Sequence, residues 1–364
     1  MLAAVALFWI SLAALVWTHV AYPVAAAFAA RLVPRPLRKG EIEPSVAVIV
    51  AAHDEEAVIA RRLENLLELD YPADRLRIVV TSDASTDRTE EIAAAYTGVT
   101  VIRNPRGGKV AAQDRAVRGV DSEIVAFSDA NATWAPDALR KLVRVFADPE
   151  VAYVCGQLRI LRADGSNREG AYWRYEMLVR TAVSKLRSVT GGNGSIYAMR
   201  RSDYVEVDPR FGHDLALPYL MVQRGRRAVY EPEAHAFEKP TPTNETEYRR
   251  KVRMFEHCWL ILLRGRMLRR LGFVYGIEIV SHRVLRYGSG LLHLVLLGTS
   301  IALVTNDWAY DVVLAAQLLL LGAAAAGVGI TRYYVLVTWA TVVSLWNYLR
   351  RGVPATWEAA EGTR

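Results

Sequence analysis

Residues 76–87 read Leu76-Arg77-Ile78-Val79-Val80-Thr81-Ser82-Asp83-Ala84-Ser85-Thr86-Asp87. The first half is short, apolar and β-branched, and the second turns polar at one carboxylate, Asp83. That is the pattern of a buried strand whose carboxyl end opens onto a ligand site. Two other segments share it: Val46–Ala52 runs into His53-Asp54-Glu55, and Glu123–Ser128 into Asp129-Ala130-Asn131. A helical pattern, Val58–Leu69, lies between the first two strands. Such alternation predicts an α/β domain built on parallel strands.

A further carboxylate, Asp214, stands before the apolar helical segment Leu215–Gln223, with Pro218 in its first turn. An anionic ligand held among Asp83, Asp129 and Asp214 calls for a divalent cation between them. Mg²⁺ or Mn²⁺ suits, because hard ions take carboxylate oxygens together with substrate phosphates.

Six ordered motifs sharpen the reading: Ala51-Ala52-His53-Asp54-Glu55-Glu56, Ser82-Asp83-Ala84-Ser85-Thr86-Asp87, Gly107-Gly108-Lys109, Asp129-Ala130-Asn131, Gly191-Gly192-Asn193-Gly194 and Gly212-His213-Asp214. Together they resemble the signatures of family-2 inverting glycosyltransferases of the GT-A fold, over roughly Ser45 to Arg264. The resemblance implies a mixed, mostly parallel sheet with flanking helices, and a nucleotide-diphospho-sugar donor. Ala51, Asp54, Glu55 and Asp83 then fall on the nucleoside side. Asp129 is the metal ligand, with Asn131 a weak or outer one, and Lys109 faces the diphosphate. Gly192, Asn193 and His213 fall on the acceptor side, Asp214 is the general base, and Arg250 and Arg253 approach the diphosphate.

The chain departs from that pattern in three places. Asn131 puts an amide where Asp-x-Asp has its second carboxylate, so only a neutral oxygen is offered. His213 replaces the usual acidic residue before the base and puts an imidazole beside it. Arg250-Lys251-Val252-Arg253-Met254 keeps the arginine of the Gln-x-x-Arg-Trp found in processive synthases, but neither the Gln nor the Trp.

Each residue also has a structural reading. Asp83, Asp129 and Asp214 suit turns or helix caps, and Asp54 or Glu55 suits the helix beginning at Glu56. Lys109, after two glycines, opens a helix whose N-terminus favours phosphate, yet a solvated lysine has the same sequence. Arg250 and Arg253, at i and i+3, share one face, which is equally a solvated basic face. A protein that kept this fold without turnover would bind nucleotide and transfer nothing.

The composition narrows the alternatives. Apolar residues make up 52% of the 364, yet Leu2 to Ala30 contains no charged side chain. It is longer than the ~20 residues that cross a bilayer, and it lacks the basic start and cleavage site of a signal peptide, which predicts an N-terminal transmembrane helix over 1–31. Arg31, Arg35, Arg38 and Lys39 follow it, with Pro34 and Pro36, so the positive-inside rule puts a catalytic domain over 45–256 in the cytoplasm. Leu291–Thr305 and Ala309–Ile330, separated by Asn306-Asp307, predict a hairpin across a cell membrane, within a C-terminal transmembrane region over 288–350. Tyr333–Leu349 either spans or lies in the interface.

Ala171–Arg187 and His257–Gly276 mix aromatic with basic residues, as interface helices do and as helices packed on a core also do; the region 257–287 is read as interfacial. The net charge of +7 clusters beside these segments, which favours membrane lipids over nucleic acid as partner. No Gly-x-Gly-x-x-Gly follows the first strand, so a dinucleotide dehydrogenase is disfavoured. Cys155 and Cys258 are far apart, with no metal spacing, and read as buried thiols. The tail after Arg350 is short and polar.

The sequence with this resemblance leads to the expectation of a multi-pass membrane glycosyltransferase of hexosyl type that builds an envelope or extracellular polysaccharide. Its acceptor is a glycan or a lipid-linked sugar. With so few apolar segments, one chain is not expected to enclose a channel, so export of a long product calls for an oligomer or a separate export partner.

Overall fold

The computed structural model describes residues 1–160, 171–240 and 243–356; Glu358–Arg364 of the polar tail lie outside the described residues. The strands are β1 (Val46–Ala52), β2 (Leu76–Asp83), β3 (Val99–Asn104), β4 (Ile124–Asp129), β5 (Thr133–Trp134), β6 (Val151–Ile160), β7 (Tyr197–Arg200) and β8 (Arg227–Glu238). They form one sheet in the order β3-β2-β1-β4-β7-β6-β8-β5. The first four are parallel, β7 runs against β4 and β6, and β6 and β8 are again parallel. The sheet is therefore mixed and mostly parallel.

The helices are α1 (Leu2–Val16), α2 (Tyr22–Leu32), α3 (Ile59–Leu67), α4 (Thr89–Ala94), α5 (Lys109–Arg118), α6 (Ala138–Val143), α7 (Ala171–Leu186), α8 (His213–Gln223), α9 (Asn244–Arg264), α10 (Phe273–Ile279), α11 (Leu285–Tyr287), α12 (Ser289–Ala302), α13 (Trp308–Ala325) and α14 (Gly329–Arg351). Period-2 alternation splits β1 between two cores: Val46, Val48 and Val50 join one, Ala47 and Ile49 the other. Both faces of this central strand are covered, which is why it reads as an unbroken apolar run. In α3, Ile59, Arg62, Leu63 and Leu66 are buried, the i, i+3, i+4, i+7 stripe of a helix lying on a sheet.

Register aligns the strand ends that matter. Ala51 pairs with Asp129 on one side and Thr81 on the other, so Asp83 and Asp129 emerge at the same edge of the sheet.

The apolar segments differ from the expectation in detail. α1 and α2 form one stretch, joined by a π-helical turn at Trp17–Ala21, that is long and apolar enough to cross a membrane, as is α13. α12 alone is too short; it continues the Phe273–Tyr287 segment across a 62° bend, and only the pair is long enough. α14 packs along α9, with Trp259 Nε1 donating to the Thr341 carbonyl at 3.0 Å and Asn347 Nδ2 to Glu256 Oε1 at 2.8 Å. By length and composition α14 is not among the described helices that qualify as a span.

α9 runs unbroken across position 256, so no structural break falls at the boundary placed there. Within His257–Gly276, Trp259 and Leu260 are buried in the α9–α14 contact, while Leu263 and Phe273 are exposed. α7 packs Val179, Ala182 and Val183 against Tyr22, Ala26 and Ala30 of α2. The basic flank after α2 is held by the domain: Arg35 pairs with Glu150 at 2.6 Å and Lys39 with Glu231 at 2.7 Å. Those charges are consequently not free for lipid.

Candidate active site

Asp83 ends β2 and is 3% exposed. Its Oδ1 accepts the N–H groups of Gly107 (2.7 Å) and Gly108 (3.1 Å), and its Oδ2 accepts from Arg106 Nη1 (2.9 Å). The carboxylate is thus committed to the Arg106–Gly108 loop and orders it. Gly108 caps α5 at φ +90°, a left-handed conformation that costs a residue with Cβ. The extended chain after α14 lies directly on it: a Cβ on Gly108 would stand 2.2 Å from the Ala355 carbonyl oxygen.

Asp54 also serves the frame. It adopts φ 53°, and its Oδ1 accepts from Thr86 N at 2.6 Å, tying the β1 end to the β2–α4 loop. Glu55 holds the next turn, taking the Val58 and Ile59 N–H groups on its carbonyl while its own N–H reaches Thr89 Oγ1 at 2.7 Å.

Lys109 and Asp129 meet in a direct ion pair. Burial works against the lysine charge, but Asp129, aided by Asp214 and Glu238, outweighs it and holds the ammonium pKa above its usual value. Ser195 Oγ lies 3.4 Å from Asp129 Oδ2 and donates to Glu238 Oε1 at the end of β8. Burial, then the neighbouring Asp129 charge, pushes the Glu238 carboxyl above the usual carboxylate range. Gly194 closes over the pair, its position for a Cβ lying 3.2 Å from Lys109 Nζ.

Asp214 sits in the first turn of α8, behind the N-cap Gly212. Gly192 donates its N–H to the Asp214 carbonyl at 2.6 Å, joining the 191–194 loop to α8. Asn193 braces that loop, donating to the Gly156 carbonyl (2.6 Å) and accepting from Ile196 N (3.0 Å). Arg250 makes a two-point ion pair with Glu247 at 3.0 and 3.2 Å and lies within electrostatic range of Glu238. Burial, then the Arg250 charge, lowers the Arg253 pKa.

The structure thus brings together Lys109, Asp129, Asp214 and the 191–194 loop, with Arg250 at the margin. His213 is placed differently from the acceptor-side expectation. It is 3% exposed, with Nδ1 3.1 Å from the Tyr197 hydroxyl and Nε2 3.4 Å from Asp114 Oδ1, boxed by Phe127, Tyr197 and Tyr204. The imidazole is thus held between Tyr197, Tyr204 and Asp114 rather than open to an acceptor. Glu238 and Ser195 were missed. Glu238 carries the signal that flagged Asp83 and Asp129, a carboxylate ending a strand, whereas Ser195 has no signal of its own.

Among the described residues no group of three or more His, Cys, Asp or Glu gathers as a metal site. Asp129 and Glu238, bracketing one hydroxyl, nevertheless supply two hard oxygen donors that repel one another. A Mg²⁺- or Mn²⁺-type cation fits such a set when substrate phosphates and water complete it.

Residues 47–207 match the Glycosyl transferase family 2 profile. The chain carries a family 2 glycosyltransferase domain. It is 34% identical over 164 residues to a beta-monoglucosyldiacylglycerol synthase of Synechocystis sp., covering 42% of this chain and 33% of that protein. It is 29% identical over 219 residues to an N-acetylglucosaminyltransferase of Rhizobium meliloti, covering 52% of this chain and 50% of that one. The chain therefore matches between a third and a half of these relatives' length. A solved mannosyltransferase from Pyrobaculum calidifontis, in complex with GDP-Man and Mn²⁺, superposes with a TM-score of 0.75 over 94% of this chain and 99% of that one, at 22% identity. That likeness establishes the GT-A fold of the family 2 domain and its flanking helices.

Proposed function

We propose that this protein is a membrane-anchored, inverting glycosyltransferase of hexosyl type, moving a sugar from a nucleotide-diphospho-sugar to a lipid-linked or glycan acceptor of the cell envelope. The observation that carries this reading is the Lys109–Asp129–Ser195–Glu238 cluster, joined through the 191–194 loop to Asp214 at one edge of the sheet. One part is cationic and hard-oxygen, suited to a diphosphate; the other offers a carboxylate, suited to a hydroxyl. The catalytic domain is read as residues 45–256 with the remainder of α9, facing the cytoplasm.

In this mechanism the ordered Arg106–Gly108 loop and the α5 N-terminus receive the diphosphate, with Lys109 moving from Asp129 to a phosphate oxygen. Asp129 and Glu238, with Asn131 as a weaker neutral ligand, would hold the divalent ion. When bound, that ion supplies charge neutralisation for the departing diphosphate. Asp214 accepts the acceptor hydroxyl proton as that oxygen attacks the anomeric carbon, and the bond from that carbon to the phosphate oxygen breaks on the opposite face. The 191–194 loop fixes the distance between the two parts.

The apolar segments α1–α2, the bent α10–α12 pair and α13 favour an acceptor presented by the bilayer. The test is the full chain in lipid nanodiscs, given a panel of radiolabelled nucleotide sugars with and without Mn²⁺. Transfer to an extractable lipid or polymer is expected from one donor; nucleotide binding without transfer from any donor would identify a non-catalytic binding protein instead.

A further inference from the structure

The first turn of α8 carries the proposed base, yet its N-cap is Gly212, which has no side chain to bond the free N–H groups there. Another group has to hold the turn. His213, its first residue, is buried and bonded at both ends: Nδ1 stands 3.1 Å from the Tyr197 hydroxyl, and Nε2 stands 3.3 Å from that of Tyr204 and 3.4 Å from Asp114 Oδ1. A proton on Nε2, with Nδ1 accepting from Tyr197, is the tautomer these partners fit. Phe127, Tyr197 and Tyr204 meet the ring at 73°, 83° and 86°, which leaves it one orientation.

Asp114 comes from the donor side. It shares the buried face of α5 with Val110 and Val117, a little over one turn beyond Lys109. A carboxylate there is costly without partners, and Tyr204 donates to Oδ1 at 2.5 Å while His213 faces the same oxygen. Burial, then the Asp114 charge, pushes the Tyr204 hydroxyl pKa far above its usual value, so it stays a donor. The acidic residue that the family usually has at position 213 would bring a second negative charge to hydrogen-bond distance of Asp114, out of water. Imidazole and carboxylate are a matched pair.

The pair joins the two halves of the site from behind. α5 opens at Lys109, where the mechanism above seats the diphosphate, and α8 opens at His213 with Asp214 next to it. The bond from the Gly192 N–H to the Asp214 carbonyl holds the same turn from the loop side.

We propose that Asp114 and His213 are positioning residues for the general base: through them the first turn of α8, and with it Asp214, is pinned to the helix whose N-terminus receives the diphosphate. The proposal rests on the transferase reading above and adds to it two residues that touch no substrate.

Transfer kinetics of the full chain in nanodiscs, GDP and UDP titrations, and hydrogen-exchange mass spectrometry without substrate test it together. H213Q keeps a polar side chain but not the two-ended bonding of the ring, and should lower kcat by about tenfold while nucleotide affinity is kept. That split is what a role in stability alone does not give. H213E should lower kcat further, by about a hundredfold, because two carboxylates then face each other. H213E/D114N replaces that repulsion with an amide donor and should recover most of the kcat that H213E loses. Peptides over 190–194 and 212–219 should exchange faster in H213Q and H213E and return toward wild type in the double variant. Where H213E does not fold, D114N takes its place and should lower kcat several-fold at kept nucleotide affinity. Unchanged kcat or unchanged exchange in H213Q, or a double variant no better than H213E, overturns the proposal. A wild-type chain that transfers no sugar from any donor would fail the transferase reading instead, and exchange would then decide whether the pair pins α8 at all.

Discussion

The carbonyl oxygen of Asp214 accepts the Gly192 N–H at 2.6 Å, and it is free to do so because Pro218, four residues on in α8, has no N–H to occupy it. A proline inside a helix thereby links the proposed base to the loop over the proposed donor site. Pro218→Ala restores the helical donor and sets it in competition with Gly192. The expected result is a kcat lower by about tenfold through lost positioning, with donor affinity kept and melting temperature unchanged or raised. A wild-type kcat would show that the loop is held by its other contacts.

Asp214→Asn keeps the shape and the backbone bond to Gly192 but cannot take a proton. Transfer should fall by ~10²–10⁴ while donor binding persists. Single-turnover kinetics on saturated enzyme separates this from a binding defect; full turnover would move the base elsewhere.

Asp129→Ala and Glu238→Gln each remove one hard oxygen donor from the pair around Ser195. Mn²⁺ binding, followed by electron paramagnetic resonance in the presence of nucleotide, should weaken in both, and more in Asp129→Ala. Asp129→Ala should also lose transfer, and EDTA should stop the parent enzyme. Undiminished Mn²⁺ affinity in Glu238→Gln would limit the site to Asp129, Asn131 and substrate.

Gly108 is constrained twice, by φ +90° and by Ala355 lying 2.2 Å from where a Cβ would stand. Gly108→Ala should therefore destabilise the full chain by more than the ~1 kcal/mol expected of left-handed strain alone. In a chain ending at Gly352 the same substitution should cost only that strain. Equal costs in denaturant unfolding of the two chains would mean the strap does not press on the loop in solution.

Burial pushes the thiols of Cys155 and Cys258 up to about 11. Since only the thiolate reacts, and raising the pKa depletes it at every pH below that value, both should resist maleimide at neutral pH. Labelling should appear only on unfolding, as mass spectrometry would show. Rapid labelling of folded protein would contradict the burial.

Much of the frame was legible in the sequence because it rests on short-range rules. β1, β2 and β4 fall where β-branched runs end in carboxylates, and α3 follows the 3.6-residue apolar period. The boundary at 256 was not legible, because α9 continues through it with residues on both sides, Val252 and Phe255 as well as Trp259 and Leu260, packed in one cluster with α14. Nor was the packing of Tyr333–Leu349 along α9, which rests on long-range contacts of Trp259 and Asn347.

The site divides in the same way. Sequence by itself determined that carboxylates at Asp83 and Asp129 end parallel strands, that glycines surround Lys109, and that Asp214 opens a helix. These are local consequences of strand and turn chemistry. Tertiary structure decided what each group touches: Asp83 is spent on its own loop, His213 faces Asp114 rather than the cleft, and Glu238 comes to Asp129 from a strand more than a hundred residues away. Side-chain direction depends on which face a turn leaves open, and long-range pairing depends on sheet order. Neither is encoded in the spacing of residues along the chain.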